Sequence, residues 1–193
     1  MKKALAVFLC LPLLTACAQQ NAVDSVQSIV IDSTDSRSDA EIAAQFLSEI
    51  LPDRPDSPFA EKAAESGTMT VCTLADVPEG WHLQALEAPL YSLHLTMHYR
   101  NADSQREIRF IWGYDTENFS AETMSKVFDS KPLPNQDGYY YIRSADDTGA
   151  EIWQVFWSED GAQMQVNVPA GLMQGSAPMP VRAEKTEFPY PAQ

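Results

Sequence analysis

Two runs of alternating residues constrain the fold more than any other feature of this chain. Residues 93–100 alternate between apolar and polar side chains, and so do residues 107–114 except at Ile111. This is the period of a half-buried β-strand, and the two runs flank a polar turn centred on 103–104. In one antiparallel register the same-face pairs are Tyr99–Ile108, Met97–Phe110, Leu95–Trp112 and Leu93–Tyr114. That register also places Arg100 opposite Glu107 on the polar face. The pattern therefore predicts a hairpin with one buried face.

Asp160-Gly161 predicts a second hairpin, because a type I′ turn needs positive φ at both central residues. The register implied by this turn collects apolar side chains on one face, in the pairs Trp157–Met164, Val155–Val166 and Trp153–Val168. Phe156 then faces Gln165 on the other side. The hairpin is therefore expected to add two strands to the same antiparallel sheet.

Residues 138–143 form a further predicted strand. A four-residue loop at 146–149 connects it to the strand that contains Trp153 and Val155. This loop length pairs Tyr140 with Val155 and Ile142 with Trp153. The opposite face then receives Tyr139 beside Phe156, and Tyr141 beside Gln154. Because this part of the sheet is apolar on both sides, incomplete cover of the second face would leave a groove for a hydrophobic ligand or a partner segment. The candidate ligand-binding residues are Tyr139, Tyr141 and Phe156.

Helical signals lie mainly before these strands. Ser38 and Glu41 have capping-box spacing and begin a helix predicted over 39–51, and Ser57-Pro58 begins a short helix that Gly67 ends. A mid-chain helix is predicted over 120–128. Further strands are predicted at 69–74, 81–86 and, within an otherwise polar segment, 26–31. These elements predict an α+β domain with an antiparallel sheet of six or seven strands packed on the N-terminal and mid-chain helices.

The pattern of the N-terminal residues predicts a targeting segment. Lys2 and Lys3 precede eleven mostly apolar residues, which are too few to span a bilayer. The residues Leu14-Thr15-Ala16-Cys17, which begin with the last residue of this run, resemble the lipobox of bacterial lipoproteins. This resemblance implies cleavage before Cys17, diacylglycerol on its sulfur, acylation of the new amino terminus, and attachment to the cell membrane or the outer membrane. The alternative is an ordinary secretory signal cut beside Ala16 or Ala18.

The chain accordingly divides into four parts. Residues 1–16 are the signal peptide, 17–37 a lipidated cysteine with a flexible polar tether, and 38–169 a single α+β domain. Residues 170–193 are rich in proline and lack periodicity, so they are predicted to be an extended or disordered tail.

Charge and residue types limit the functions to be considered. Loss of Lys2 and Lys3 would change the formal net charge from −14 to −16, so nucleic acid is not an expected ligand. Cys72 lies in a predicted strand and is expected to be a buried apolar residue. His94 and His98 stand four residues apart on a strand, about 13 Å, which excludes a shared metal ion. We expect neither metal nor cofactor.

Local catalytic motifs are absent from the sequence, although a carboxylate dyad of the glycosidase type would leave no such motif. Strand patterns over residues 70–169, including Val77-Pro78-Glu79-Gly80-Trp81 and Arg109-Phe110-Ile111-Trp112, resemble uncharacterised bacterial envelope domains. Those domains are similar to the half-barrel group of lipoprotein carriers and sigma regulators. The resemblance implies a curved sheet packed on helices and recognition of acyl chains or lipoproteins.

Three functions follow from these features. The first is a non-enzymatic envelope lipoprotein that binds a hydrophobic ligand or an envelope protein. The second is a structural or assembly lipoprotein without a pocket. The third is a hydrolase with an unrecognised carboxylate dyad.

Overall fold

The computed structural model describes residues 26–89, 94–102, 106–114, 126, 130–134, 136–172 and 181–190. These residues contain the helices α1 (Asp39–Ile50) and α2 (Pro58–Ser66). Their strands are β1 (Val26–Val30), β2 (Thr68–Leu74), β3 (Trp81–Pro89), β4 (His94–Asn101), β5 (Glu107–Tyr114), β6 (Lys131–Pro132), β7 (Tyr140–Ala145), β8 (Glu151–Glu159), β9 (Ala162–Pro169) and β10 (Ala183–Pro189). The predicted α+β class is confirmed.

Eight strands form one antiparallel sheet in the order β1-β3-β4-β5-β9-β8-β7-β6. The remaining two, β2 and β10, pair with each other in a separate sheet. The prediction of six or seven strands is therefore wrong. Short strands β1 and β6 extend the two edges of the main sheet, whereas β2, predicted to belong to it, pairs elsewhere.

Two of the predicted registers are confirmed. In β4 and β5, Leu95, Met97 and Tyr99 lie opposite Trp112, Phe110 and Ile108, and Arg100 lies opposite Glu107. In β8 and β9, Trp157, Val155 and Trp153 lie opposite Met164, Val166 and Val168. The hairpin between β8 and β9 has the predicted turn, with φ of 50° at Asp160 and 76° at Gly161. Leu93 and the turn centred on 103–104 lie outside the described residues.

The predicted register between β7 and β8 is wrong by one residue. Tyr140 lies opposite Phe156 and Ile142 opposite Gln154. The cause is the loop, where the Asp146 amide donates to the Ala150 carbonyl at 2.8 Å and Gly149 adopts a φ of 81°. This is a three-residue loop with a left-handed final residue rather than a four-residue one. Because side chains alternate along a strand, a shift of one residue moves each β7 side chain to the other face.

The two helices have the predicted boundaries and caps. The Ser38 hydroxyl accepts a hydrogen bond from the Glu41 amide, and the Glu41 carboxylate accepts one from the Ser38 amide, which completes the capping box of α1. Ser57 caps α2, and Gly67 follows its last residue. The predicted helix over 120–128 falls outside the described residues except for Lys126, which is helical.

One face of the main sheet carries the hydrophobic core. Side chains of β4, β5, β8 and β9 meet residues from α1, α2 and β2 there, and the fully buried members include Leu47, Val71, Tyr99, Phe110, Trp112 and Trp157. Phe59 of α2 packs edge-on against Trp112, with ring centroids 5.0 Å apart. The helices and the small sheet therefore cover this face, which we call the core face, and the opposite one is the outer face.

Two predicted segment boundaries need correction. Residues 183–189 form β10, paired with β2 from Ala183–Leu74 to Pro189–Thr68, so this part of the predicted tail is ordered in a sheet. At the other end, β1 pairs with β3, which confirms the strand predicted within 26–31. The folded domain thus includes Val26–Val30, because backbone pairing supplies the order that the polar composition did not indicate.

Candidate functional site

The three predicted ligand-binding residues do not share one face. Tyr139 stacks on Trp157 with ring centroids 4.9 Å apart, and Tyr141 packs against Trp153 at 5.3 Å, so both tyrosines border the core face. Phe156 points to the outer face, where its ring stacks on that of Tyr140 at 6.2 Å. It is 5% exposed. The aromatic groove predicted from Tyr139, Tyr141 and Phe156 is therefore not formed by these residues.

The outer face instead carries a polar groove of about 700 Å³. The ends of β4 and β5 form one wall, the β7–β8 loop forms the other, and Gln154 and Asn167 lie between them. Three arginines and three carboxylates line it: Arg100, Arg106, Arg109, Glu107, Asp146 and Asp147. The sequence analysis predicted the Arg100–Glu107 pair but not this groove, because the β7–β8 loop lies far along the chain from both residues.

Glu107 is the charged centre of this groove. Its Oε2 accepts hydrogen bonds from Arg100 Nη2 at 2.9 Å and Nε at 3.2 Å, and its Oε1 accepts one from Arg109 Nε. Burial alone would raise the pKa of Glu107, but the two guanidinium groups outweigh it and lower the pKa to about 2. The carboxylate is therefore ionised at neutral pH and holds both arginines in place.

His98 links this cluster to the neighbouring strand. Its side chain is nearly buried, with Nδ1 3.3 Å from Glu107 Oε2 and Nε2 3.3 Å from Glu87 Oε2. The second contact lacks hydrogen-bond geometry. Glu87 reaches this position because a β-bulge between Leu83 and Ala85 shifts the pairing of β3 with β4. Sequence reasoning missed this contact, since the bulge leaves no signal in the alternation pattern.

Glu107 does not have the properties of a catalytic acid. A glycosidase-type dyad needs one carboxyl group that stays protonated near neutral pH. The arginines have the opposite effect on Glu107, because they stabilise its charged form. Glu107 is therefore a poor candidate for the protonated acid of such a dyad.

A second cleft, of about 420 Å³, lies between α2, the β2–β10 sheet and the β8–β9 turn. Cys72 contributes to its lining but is buried, and burial raises the pKa of its thiol to about 12. Lys185, opposite Cys72 in the sheet, bonds instead to Asp160 at 2.5 Å and lies 3.2 Å from Glu159. Cys72 therefore stays a neutral thiol at neutral pH, which confirms that it behaves as a buried apolar residue.

With this geometry established, the chain can be compared with known proteins. No family model, curated protein or solved structure matches it. The groove, the strand registers and the sequence pattern are accordingly the basis for any functional assignment.

The remaining sequence predictions concern the histidine pair, the lipobox and the membrane. His94 and His98 both lie on β4, as the strand prediction required. Among the described residues, no group of three or more potential metal-ligating side chains occurs. The lipobox and Cys17 lie outside the described residues. Within the described part of the chain, no helix is long and apolar enough to cross a membrane.

Proposed function

We propose that this protein is a bacterial envelope lipoprotein, anchored through acylated Cys17, whose domain binds a protein partner and catalyses no reaction. Support for the anchor is the segment Leu14–Cys17 at the end of a short apolar run. Eight residues separate Cys17 from Val26, the first residue of the sheet. Fully extended, they reach about 28 Å. The domain is therefore held close to the membrane surface.

The observation that carries the binding role is the pair of arginines oriented by Glu107. A guanidinium group fixed in position loses little conformational entropy when it binds a carboxylate, and its fork of donors favours bidentate contact. The side chains of Arg100 and Arg109 are still 53% and 38% exposed. We therefore assign the groove to a partner segment that presents a carboxylate. Asp147 Oδ1 lies 3.9 Å from Arg109 Nη2, so this carboxylate also helps to hold Arg109 at the groove.

A protein partner fits this groove better than an acyl chain does. Eight of the twelve residues that line the groove carry ionised or amide side chains, and the others are Ala145, Thr148, Ala150 and Ile152. Burying the eight polar side chains against hydrocarbon without hydrogen bonds would be unfavourable. The separation of Tyr139 and Tyr141 from Phe156 also removes the aromatic surface on which a hydrophobic ligand was predicted to bind.

Site-specific photo-crosslinking in native cells tests this role. A photoreactive amino acid at Asp147, on the groove rim, should capture one envelope protein, whereas the same group at Glu65 on α2, which is similarly exposed, should not. Replacing both Arg100 and Arg109 with Gln should reduce the crosslink at least several-fold. Arg143→Gln is the control, because Arg143 also pairs with a glutamate, Glu151, but lies outside the groove.

Three results would contradict the proposal. Equal capture from positions 147 and 65 would show that the groove is not the binding surface. A crosslink that survives the double arginine substitution would show that the arginines do not recognise the partner. A lipid-sized mass retained by the purified domain in native mass spectrometry would favour a carrier of hydrophobic ligands instead.

A further inference from the structure

The two edges of the main sheet differ in how they are protected from pairing with another strand. At one edge, β6 has two residues, Lys131 and Pro132. A short edge strand containing lysine and proline discourages further pairing. At the other edge, β1 has five residues, Val-Gln-Ser-Ile-Val, with neither charge nor proline. Among the described strands, only β3 pairs with β1. The β1 edge therefore lacks the protection that the β6 edge has.

On the outer face, β1 carries an exposed apolar side chain at its first residue and another at its last. Val26 is 48% and Val30 is 88% exposed, and these are the exposed large hydrophobic residues of the described chain. Ser28 lies midway between them and is also exposed. An exposed apolar edge of this kind is a template for another strand.

At these same three residues, the backbone groups of β1 have no strand partner within the described part of the chain. The Ile31 amide donates to the Gln84 carbonyl at 2.8 Å, and the register pairs Ile29 with Leu86. Hydrogen-bonded pairs alternate along an antiparallel ladder, so residues 27, 29 and 31 bond to β3. The amides and carbonyls of Val26, Ser28 and Val30 consequently point away from β3, toward the open edge.

We infer that β1 pairs with β1 of a second copy of this chain, in antiparallel orientation about a two-fold axis at Ser28. This register places Ser28 opposite Ser28 of the second copy and Val26 opposite Val30. The groups that point toward the open edge then bond to one another, and the exposed valines of both copies meet in cross-strand pairs on one face. The strand is therefore complementary to itself in both hydrogen bonding and apolar contact.

Anchoring at one membrane surface favours a second copy as the occupant, whereas the net charge of the chain opposes it. The chain carries a formal net charge of −14, so two copies repel each other, but β1 contains no charged residue. A five-residue ladder is too small for a tight dimer in dilute solution. If Cys17 is the membrane anchor, both copies are held at one surface within reach of their short tethers, which raises the effective concentration. The pairing register does not depend on how the chain is anchored.

Disulfide trapping in the full-length chain, expressed in its native cells, tests this register. Ser28→Cys should form a covalent dimer on oxidation, because hydrogen-bonded partners across the axis have Cα atoms about 5.5 Å apart. Val30→Cys is the matched control. It is on the same strand and face and is highly exposed, but the two copies of residue 30 would be about 13 Å apart. It should form at least fivefold less dimer.

A lysine at position 30 provides an independent test. In the Ser28→Cys chain, Val30→Lys should reduce the trapped dimer at least fivefold, whereas Ser48→Lys, at an exposed position on α1, should leave it unchanged. Equal dimer from the Ser28→Cys and Val30→Cys chains would overturn the inference, as would trapping that is insensitive to Val30→Lys. The amount of disulfide-linked dimer on non-reducing gels measures the pairing of β1, and the photo-crosslink measures partner capture at the groove. Failure of one proposal is therefore distinguishable from failure of the other.

Discussion

Tyr140 lies directly opposite Phe156 across β7 and β8, and the two rings stack with centroids 6.2 Å apart. This pair fixes the face on which each β7 side chain lies. It places Tyr139 and Tyr141 toward Trp157 and Trp153 at the core face. Separately, the registers of β4, β5 and β9 place mostly polar side chains on the outer face of these strands. The outer face consequently carries the polar groove lined by arginines. Tyr139, Tyr141 and Phe156 do not form an aromatic groove there.

The β7–β8 register makes a prediction that a cysteine pair can test. Ile142 and Gln154 are hydrogen-bonded partners, so Ile142→Cys with Gln154→Cys should form an intramolecular disulfide on mild oxidation. Loss of two hydrogens by mass spectrometry would report the bond. Tyr141→Cys with Gln154→Cys is the control, because it corresponds to the register expected for a four-residue loop. Rapid oxidation of the control pair, without oxidation of the first, would contradict the observed register.

The Arg100–Glu107–Arg109 cluster should stabilise the domain in a pH-dependent way. The pKa of Glu107 is lowered from its ordinary value of 4.5 to about 2, so its contribution is complete above about pH 4.5 and is lost as the pH falls toward 2. Glu107→Gln should lower the free energy of unfolding at pH 7 by about 1–2 kcal/mol, a reduced figure because the arginines are partly exposed. Urea denaturation at several pH values measures this difference.

The difference between wild type and Glu107→Gln should shrink toward zero near pH 2. Glu65→Gln is the matched control, because Glu65 is 73% exposed and lies 4.0 Å from Lys62. It should change stability by less than about 0.5 kcal/mol at any of these pH values. A constant difference for Glu107→Gln across the whole range would show that the ion pairs do not cause the effect.

The capping box should contribute measurably to α1. Ser38→Ala removes the hydroxyl that accepts from the Glu41 amide, and we expect a loss of about 1 kcal/mol in the free energy of unfolding. Ser48→Ala provides the comparison, because Ser48 lies inside the same helix and bonds to the Gln45 carbonyl. It should be neutral or slightly stabilising. Equal losses in urea denaturation would argue against a specific role of the cap.

Cys72 should be unreactive in the folded domain. It has no exposed surface, and burial raises the pKa of its thiol to about 12, so little thiolate forms near neutral pH. In a mature chain with Cys17→Ser, where Cys72 is the remaining cysteine, a thiol reagent should label it only after urea is added. Stoichiometric labelling within minutes under native conditions would instead indicate a reactive thiol in the β2–β10 cleft.

The success of the strand predictions depended on the turns. The β8–β9 register follows from a two-residue turn that Asp160-Gly161 defines chemically, and the β4–β5 register from matching apolar pairs. The segment around Asp146 allows loops of three or four residues, which differ by one step in register. Asp146 Oδ1 accepts from the Thr148 and Ala150 amides at 2.9 Å, and this side-chain contact selects the shorter loop.

Two other features could not be predicted from periodicity. β10 contains two glutamates, a lysine and a proline without regular alternation, and its order comes from backbone pairing with β2. The contact of Glu87 with His98 depends on the bulge in β3, which changes the face of each residue beyond it. Both features result from tertiary contacts between distant segments, whereas the predicted elements followed from local patterns.

Anchoring through Cys17 is the claim on which the proposed envelope role depends, and the proposed pairing of two copies would be favoured by it. The most direct test is mass spectrometry of the N-terminal peptide from protein purified from its native membranes. We predict a peptide that begins at Cys17 and carries a diacylglycerol group together with an acylated amino terminus. A mature chain that begins at another residue, or one with a free Cys17 thiol, would contradict the account.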